Sequence, residues 1–266
     1  MSSTWARNVI HRINPKISDI FRSYQPREVV KMKTPKETHV VRIALTGGPC
    51  AGKSSAVENI VKKARKDGFD IVVAPEMPTL IFNAGIQMPQ EYDKQFTFAF
   101  QSSNVALQLQ LERSLTNICA STRRPTILVY DRGIMDSKAY IDEDGWEKVV
   151  QYIDHRSSNR IFNEEYILKR YDGVIHLETA AKGAEEFYKN GWTTDDMGRK
   201  VFRKETPEEA CKMDDIMIEC WKNHWKHFIV DNLSHNSFDE KLNAVSKCVL
   251  KIAEEKHPRY KKFSYI

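Results

Sequence analysis

Short apolar runs alternate along the chain with longer segments in which apolar residues recur every three or four positions. The runs are rich in Val, Ile and Leu, which is typical of strands that are buried on both faces of a parallel sheet. They occupy residues 40–45, 70–74, 125–130, 173–177 and 227–230. Because helical segments separate them, the pattern predicts a single α/β domain with a doubly wound, five-stranded parallel sheet.

Two of the helical segments carry a start signal. Thr206-Pro207-Glu208-Glu209 and Ser237-Phe238-Asp239-Glu240 each place a Glu three residues after a hydroxyl residue, as capping boxes do. We therefore expect a helix to begin directly after each of these hydroxyl residues. A further long helix is predicted between Pro89 and Cys119.

The first predicted strand leads directly into a glycine-rich turn. Gly47 through Ser54 fit the pattern G-x-x-x-x-G-K-[ST], the phosphate-binding P-loop, and a helical pattern follows. Glycines let backbone N–H groups wrap a polyphosphate, and the helix N-terminus adds the positive end of its dipole. We expect a catalytic Lys53 that reaches the β- and γ-phosphates, and a Ser54 hydroxyl that binds Mg²⁺ carried with ATP or GTP. The predicted phosphate-binding residues are Gly47, Gly48, Pro49, Cys50, Ala51, Gly52, Lys53, Ser54 and Ser55.

The composition is that of an ordinary globular protein, with 41% hydrophobic and 29% charged residues. No apolar run approaches the ~18 residues of a membrane-spanning helix. The cysteines number five, an odd count, and none forms a C-x-x-C pair. This favours reduced thiols and an intracellular, cytoplasmic protein over a secreted disulfide framework.

The net charge of +5 lies entirely in residues 1–38, which contain eight Lys or Arg and three acidic residues. The rest of the chain is neutral, so its charge gives no argument for binding nucleic acid. Residues 1–38 also repeat apolar residues, from Trp5 to Phe21, at roughly helical spacing. Three interpretations stay open: a targeting peptide for mitochondria or another organelle, a helix on an anionic membrane surface, or an N-terminal arm.

Charged residues follow the second and third predicted strands. The carboxyl ends of parallel strands form the ligand-binding edge of such a sheet, and here they carry Glu76 and Asp131-Arg132. We expect Asp131 to hold Mg²⁺, directly or through water, and Arg132 to face a phosphate as a catalytic group. Glu76 is a candidate catalytic base for a substrate hydroxyl, or a hydrogen-bond partner of a sugar. The alternative for each of the three residues is a turn or cap role.

Two further segments are candidates for substrate contact. Phe100 and Gln101 lie together on the long helix, and an aromatic ring beside an amide suits stacking on a nucleobase and hydrogen bonding to it; the alternative is core packing. Residues 180–204 are rich in Lys and Arg and contain three glycines, which is the composition of a mobile lid. We expect Arg199 and Arg203 of this lid to neutralise the transferring phosphates as catalytic residues. The alternative is a solvated basic loop.

Four stretches together resemble a known family: 43–54, 74–76, 130–136 and 180–188. They are similar to the AAA-type P-loop domain of the insect TRPL translocation defect protein 14 and, more distantly, to the ribosylnicotinamide kinase part of the bacterial NAD regulator NadR. The resemblance implies a kinase-like P-loop fold with strand order 2-3-1-4-5 that binds GTP or ATP. In the insect protein this fold accompanies phosphoinositide binding and a role in membrane-protein trafficking.

Glu76, Asp131-Arg132 and Phe100-Gln101 also resemble elements of the deoxynucleoside kinases. In that family the first of these, a Glu, takes the proton of the sugar hydroxyl. A Glu stands there where this chain has Asp131, so the substrate of those kinases does not carry over.

The predicted organisation is a basic N-terminal extension over 1–38, a P-loop kinase-like domain over 39–256 and a C-terminal tail over 257–266. Two functions of different classes remain. The first is an Mg²⁺-dependent phosphotransferase that moves the γ-phosphoryl group of ATP or GTP to a small nucleoside-like acceptor. The second is a nucleotide-regulated binding protein with slow hydrolysis, acting in membrane-protein trafficking or binding phosphoinositide or an anionic membrane through the basic extension. The chain has no N-K-x-D motif, which favours ATP over GTP.

Overall fold

The computed structural model describes residues 39–157, 160–194, 200–203 and 205–258. The basic extension over 1–38 and most of the predicted tail therefore lie outside the described residues, together with the targeting and membrane interpretations attached to the extension. Arg199 also lies outside them, as does the side chain of Arg203. Within the described residues, no helix has both the length and the apolar character needed to cross a membrane.

The strands form one large sheet and one small one. In chain order they are β1 (Val40–Gly47), β2 (Asp70–Ala74), β3 (Thr126–Asp131), β4 (Gly173–Leu177), β5 (Gly191–Thr194), β6 (Lys200–Arg203) and β7 (His227–Val230). The large sheet is parallel and has the order β2-β3-β1-β4-β7. With β7 counted as its fifth strand, this is the order 2-3-1-4-5, and the predicted fold class is confirmed.

The small sheet, the antiparallel pair of β5 and β6, was not predicted. It lies inside the segment that the sequence pattern indicated as a basic lid. Each strand has four residues and includes β-branched and aromatic types, which favour strands. Runs this short do not stand out beside the surrounding Gly, Lys and Arg, so the composition alone predicted only a loop.

Seven α-helices and two short 3₁₀ helices complete the described part of the chain. The α-helices are α1 (Lys53–Lys66), α2 (Met77–Asn83), α3 (Lys94–Ser121), α4 (Glu143–Arg156), α5 (Glu164–Leu168), α6 (Pro207–Trp221) and α7 (Phe238–Lys256). The 3₁₀ helices are Ile134–Tyr140, directly after β3, and Glu185–Phe187, after β4.

The capping signals locate two helix starts correctly, but only one is a complete capping box. At α6 the Thr206 side chain accepts from the N–H of Glu209, whose carboxylate accepts from the Thr206 N–H. At α7 the Ser237 hydroxyl accepts from the N–H of Glu240 at 3.2 Å. The Glu240 carboxylate instead accepts from the N–H of Asn236 at 2.9 Å, one residue earlier than a capping box requires.

The hydrophobic core has one layer on each face of the sheet. On one face α1 and α7 pack Ile60, Val245 and Ile252 against β1 and β4. On the other face α3, α4 and α6 contribute Val105, Trp146 and Trp221. Because the sheet is parallel, the loops after β1, β2, β3, β4 and β7 meet at one edge, the carboxyl edge.

Candidate nucleotide-binding site

The P-loop directly follows β1, and two of its glycines have backbone conformations that other residues rarely adopt. Gly47 has a φ of 141°, and a Cβ atom there would lie 2.1 Å from the carbonyl oxygen of Leu177. Gly52 has a φ of 87°, and a Cβ atom there would lie 2.7 Å from the ring of Phe238. Only glycine fits both positions without strain, so these two residues set the path of the loop.

Every carbonyl group from Gly47 to Gly52 accepts a hydrogen bond from the protein. Lys53 Nζ donates to the carbonyl oxygens of Gly47 (2.9 Å) and Gly48 (3.1 Å). The next three carbonyl groups accept from Thr179 Oγ1 (at Pro49), from the N–H of Ala180 (at Cys50, 3.3 Å) and from Lys241 Nζ (at Ala51, 3.4 Å). The N–H of Ala56 donates to the carbonyl of Gly52 at 2.9 Å, where α1 begins.

The backbone N–H groups of the same loop behave differently. That of Gly48 donates to the Asp214 carboxylate at 2.9 Å. Within the described residues, no acceptor contacts the N–H groups of Ala51, Gly52, Lys53 and Ser54. The first N–H groups of a helix have no acceptor within the helix, and a run of such donors directly after a glycine-rich turn fits an oxygen-rich anion. Residues 47–55 are called the phosphate cradle below.

Lys53 lies among the other charged residues expected at this edge. Burial, together with the charge of Arg132, lowers the pKa of its ammonium group to about 8, against the raising effect of Asp131, Glu76 and Asp136. The structure therefore brings together the charged residues that were predicted from separate strand ends. It adds Asp136, which lies in the 3₁₀ helix after β3.

Asp131 ends β3 beside Leu45 of β1. Its Oδ1 atom is buried and has no hydrogen-bond partner among the described residues, and burial raises the pKa of the carboxyl group although Lys53 opposes the shift. A buried carboxylate oxygen without a donor fits a cation. Within the described residues, no group of three or more His, Cys, Asp or Glu could hold a metal ion. Mg²⁺ would therefore need Asp131, the Ser54 hydroxyl and the phosphates of the nucleotide together.

Glu76 and Arg132 are paired with each other. Glu76 accepts from Arg132 Nε and, at 2.7 Å, from the hydroxyl of Thr79 in α2. Burial alone would raise the pKa of Glu76, but the charge of Arg132 and the Thr79 hydrogen bond lower it below its ordinary value. Arg132 was expected to face a phosphate. In this structure its guanidinium faces Glu76, and Nη1 lies 3.8 Å from Asp136, so a phosphate would have to compete with two carboxylates.

Phe100 and Gln101 both lie inside the protein on α3. Phe100 stacks between Phe82 and Phe96, at ring-centroid distances of 5.4 Å and 6.0 Å. Gln101 is buried, and its Oε1 atom has no hydrogen-bond partner among the described residues. Core packing alone explains Phe100, whereas the unpaired oxygen of Gln101 is not explained by packing.

Lys182, in the described part of the segment after β4, is already neutralised. Lys182 donates to Asp214 at 3.1 Å and to Asp215 at 2.6 Å. With Arg199 and the side chain of Arg203 outside the described residues, the role of the lid arginines stays a prediction. The described contacts of Lys182 connect this segment to α6 rather than to the cradle directly.

Sequence reasoning missed three residues that hold the P-loop from outside: Thr179, Asp214 and Lys241. Asp214 carried no signal, because a single Asp within a helix is usually exposed. Lys241 did carry one. It stands three residues after Phe238 and four before Val245, on the apolar face of α7, where a cation needs a buried partner.

The sequence over residues 42–241 matches the family model described as an AAA domain. The chain belongs to this family. Among proteins of curated function, no sequence matches the chain. Membership of the narrower family of the TRPL translocation defect protein is therefore not shown.

Two solved structures are similar in fold. One is the NadR protein in complex with NAD and AMP-PNP, with a TM-score of 0.48 and 10% identity over 82% of this chain and 50% of that one. The chain thus spans half the length of that protein. The other is deoxyadenosine kinase from M. mycoides with bound dATP, with a TM-score of 0.47 and 18% identity over 78% of this chain and 97% of that one.

Proposed function

We propose that this chain is an Mg²⁺-dependent phosphotransferase that moves the γ-phosphoryl group of ATP or GTP to a hydroxyl group of a small nucleoside-like acceptor. The observation that carries the proposal is the hydrogen bonding of the phosphate cradle. The carbonyl groups of residues 47–52 all have donors, while the N–H groups of residues 51–54 have no acceptor among the described residues. A loop with this donor set at a helix N-terminus suits a polyphosphate.

The proposed reaction assigns a separate task to each charged residue. The acceptor oxygen forms a bond to the γ-phosphorus, the bond from that phosphorus to the β–γ bridging oxygen breaks, and the nucleoside diphosphate leaves with the electron pair. The hydroxyl proton goes to the Glu76 carboxylate, which Arg132 helps to keep ionised. Lys53 neutralises phosphate oxygens. Ser54 and Asp131 would hold Mg²⁺, which would supply further positive charge.

A polar stripe on α3 supports an acceptor that carries hydrogen-bond donors. Gln101, Asn104 and Gln108 lie on one face of the helix, and Gln108 donates to the Arg132 carbonyl oxygen at 3.3 Å. Asn104 donates to Ser137 at 2.9 Å, but its Oδ1 atom, like Oε1 of Gln101, is buried without a partner among the described residues. Two unpaired amide oxygens favour a ligand with N–H groups, such as the amino-bearing edge of a base.

The aromatic residues next to this stripe suit a flat ligand. Phe82, Phe100 and Phe96 form a continuous stack, and Phe82 at one end of it is 41% exposed. An exposed ring that continues a buried stack offers a face to another flat ring. The stack and the amide oxygens together support a nucleoside-like acceptor over a simple alcohol or sugar.

The test is a screen of nucleosides and ribosides with Mg²⁺ and either ATP or GTP, read by mass spectrometry of the phosphorylated product. We expect one acceptor to be phosphorylated by the wild-type chain and the product to be lost in Lys53→Met. Tight nucleotide binding without transfer to any acceptor would contradict the proposal and favour the nucleotide-regulated binding protein. No nucleotide binding at all would contradict both.

Acceptor recognition has its own matched pair of variants. Gln101→Leu should raise the acceptor KM roughly tenfold by removing a buried polar contact, and it should leave the KM for the nucleotide unchanged. Gln110→Leu is the control, because Gln110 lies on the exposed side of α3 and donates only to Ser114. Equal acceptor KM values for the two variants would show that the polar stripe does not bind the acceptor.

A further inference from the structure

A buried carboxylate on α6 supports the phosphate cradle from behind. Asp214 is 0% exposed, and its Oδ1 atom accepts from the N–H of Gly48 at 2.9 Å and from the N–H of Thr179 at 3.2 Å. The same oxygen lies 3.0 Å from Nε2 of His176, a buried residue of β4. Its Oδ2 atom accepts from Lys182 Nζ at 3.1 Å. One carboxylate thus connects the P-loop, β4 and the segment that follows β4.

The surroundings of Asp214 favour its ionised carboxylate. Burial alone would raise its pKa, but the hydrogen bond and charge of His176, the N–H of Gly48 and the Lys182 ammonium lower it below its ordinary value. A buried charge is tolerated only where hydrogen bonds and opposite charge compensate it. The four donors around Asp214 provide that compensation, and one of them is the second residue of the P-loop motif.

Asp214 fixes the peptide orientation at the entrance of the cradle. It accepts from the Gly48 N–H, so this donor is already paired, unlike the N–H groups of residues 51–54. Its contact with Gly48 is close: a Cβ atom at Gly48 would lie 2.8 Å from Asp214 Oδ1. A side chain larger than that of glycine at position 48 would therefore collide with the Asp214 carboxylate.

The residues next to Asp214 continue the support along the loop. Thr179, which donates its N–H to Asp214, donates its hydroxyl to the carbonyl of Pro49. The carbonyl groups of Thr179 and Lys182 both accept from the side-chain amide of Asn232, at 2.8 Å and 2.7 Å. Asn232 Oδ1 in turn accepts at 2.6 Å from Lys241, whose ammonium also reaches the carbonyl of Ala51. These side chains thus form one connected hydrogen-bond network that contacts the P-loop at Gly48, Pro49 and Ala51.

We propose that Asp214 is a positioning residue for the phosphate cradle, and that Lys182 couples the segment after β4 to the cradle through it. A movement of residues 180–184 that withdraws the Lys182 ammonium would leave the Asp214 carboxylate less compensated and would loosen its hold on Gly48. The position of residues 180–184 would then control how well the cradle binds phosphate. This inference rests on the phosphate-binding part of the proposed function.

The test measures binding of inorganic tripolyphosphate with Mg²⁺ by calorimetry, because this probe contacts the cradle without a base or an acceptor. Asp214→Asn keeps the shape of the side chain but removes the charge, and we expect it to weaken tripolyphosphate binding about tenfold or more. Lys182→Met should weaken it by a smaller factor. Asp215→Asn is the control, because Asp215 pairs with the same ammonium at 2.6 Å and is exposed; binding should be unchanged.

Thermal unfolding of each variant separates positioning from folding. Wild-type affinity in Asp214→Asn and in Lys182→Met would overturn the inference. If Asp214→Asn does not fold, Lys182→Met decides, since its side chain lies at the rim of the network and is 23% exposed. Equal effects of Lys182→Met and Asp215→Asn would also overturn it. A wild-type chain that does not bind tripolyphosphate would instead reject the proposed function.

Discussion

Glu76, two residues after the end of β2, and Arg132, directly after β3, form an ion pair at the edge of the sheet where the strands end. The two side chains are 29% and 17% exposed, so the pair is largely shielded from water. Arg132 holds its backbone in the left-handed region, with a φ of 73°. Few non-glycine residues adopt this conformation without a reason. The ion pair thus joins Glu76, the proposed base, to Arg132, which lowers the pKa of Glu76.

The first prediction concerns the pKa of Glu76. Arg132→Met removes the charge that lowers this pKa, while burial, which raises it, remains. The Glu76 pKa should therefore be higher in the variant than in wild type, and Glu76 should take up its proton at a higher pH. Carboxyl NMR titration measures this directly.

The control for this prediction is Arg124→Met. Arg124 pairs with Asp70 at 2.8 Å, at the other end of β2, and is 68% exposed. The Arg124→Met variant should have the same Glu76 pKa as wild type. A Glu76 pKa that stays at the wild-type value in Arg132→Met would show that the ion pair does not set the charge of the proposed base.

The second prediction concerns nucleotide binding. Lys53→Met should abolish detectable Mg²⁺–nucleotide binding and change the unfolding temperature little. The variant loses the Nζ hydrogen bonds to the carbonyl oxygens of Gly47 and Gly48, but it also removes an ammonium group that burial disfavours. Lys62→Met, on the exposed side of the same helix, is the matched control and should bind as wild type does. Equal nucleotide affinities of the two variants, measured with a fluorescent nucleotide, would contradict the P-loop assignment.

The fold was predictable because its signals are local and strong. Each strand of the large sheet is a short apolar run, and glycine or charged residues mark the point where the strand ends and the chain turns. The order of the strands came from the family resemblance, since no local pattern specifies which strands are neighbours. The hairpin of β5 and β6 escaped prediction because strands of four residues have too few positions to establish alternation.

The site was predictable only where it follows a strand end. Glu76 and Asp131 could be placed from the chain alone, because parallel strands bring their carboxyl ends to one edge. The pairing of Glu76 with Arg132 could not, since it depends on the side-chain directions of two loops. The hydrogen-bond network from Asp214 to Lys241 could not be predicted either. It joins distant parts of the chain, and long-range hydrogen bonds leave no periodicity in the sequence.

The third prediction concerns the core beneath the site. Asp136 Oδ1 accepts from Thr46 Oγ1 and from Trp221 Nε1, each at 2.6 Å, and all three residues are buried. Trp221→Phe removes one donor to a buried carboxylate and also leaves space. It should lower the free energy of unfolding by about 2–4 kcal/mol. Denaturant unfolding measures the loss.

Trp225→Phe is the matched substitution for this third prediction. Trp225 is 67% exposed and contacts Lys226, 4.5 Å from its ring centroid. A change at an exposed ring should alter the free energy of unfolding by no more than about 0.5–1 kcal/mol. If the two Trp variants lost equal stability, the hydrogen bond to Asp136 would not contribute as described.

The last prediction separates the metal role of Asp131 from its structural role. Asp131 Oδ1 is buried without a partner among the described residues, and burial raises the pKa of the carboxyl group. A raised pKa means that the ionised form is disfavoured in the folded protein, so its charge at neutral pH costs stability. Asp131→Asn keeps the size and removes the charge. The apo variant should therefore unfold at the same temperature as wild type or higher, while its nucleotide affinity should no longer increase when Mg²⁺ is added.

The measurement for this last prediction is a pair of nucleotide titrations, with Mg²⁺ and with EDTA, beside thermal unfolding without nucleotide. Asp144→Asn, an exposed residue paired with Lys148 on α4, should retain the Mg²⁺ effect. Loss of stability with a retained Mg²⁺ effect in Asp131→Asn would make Asp131 a structural residue and move the metal ligand elsewhere.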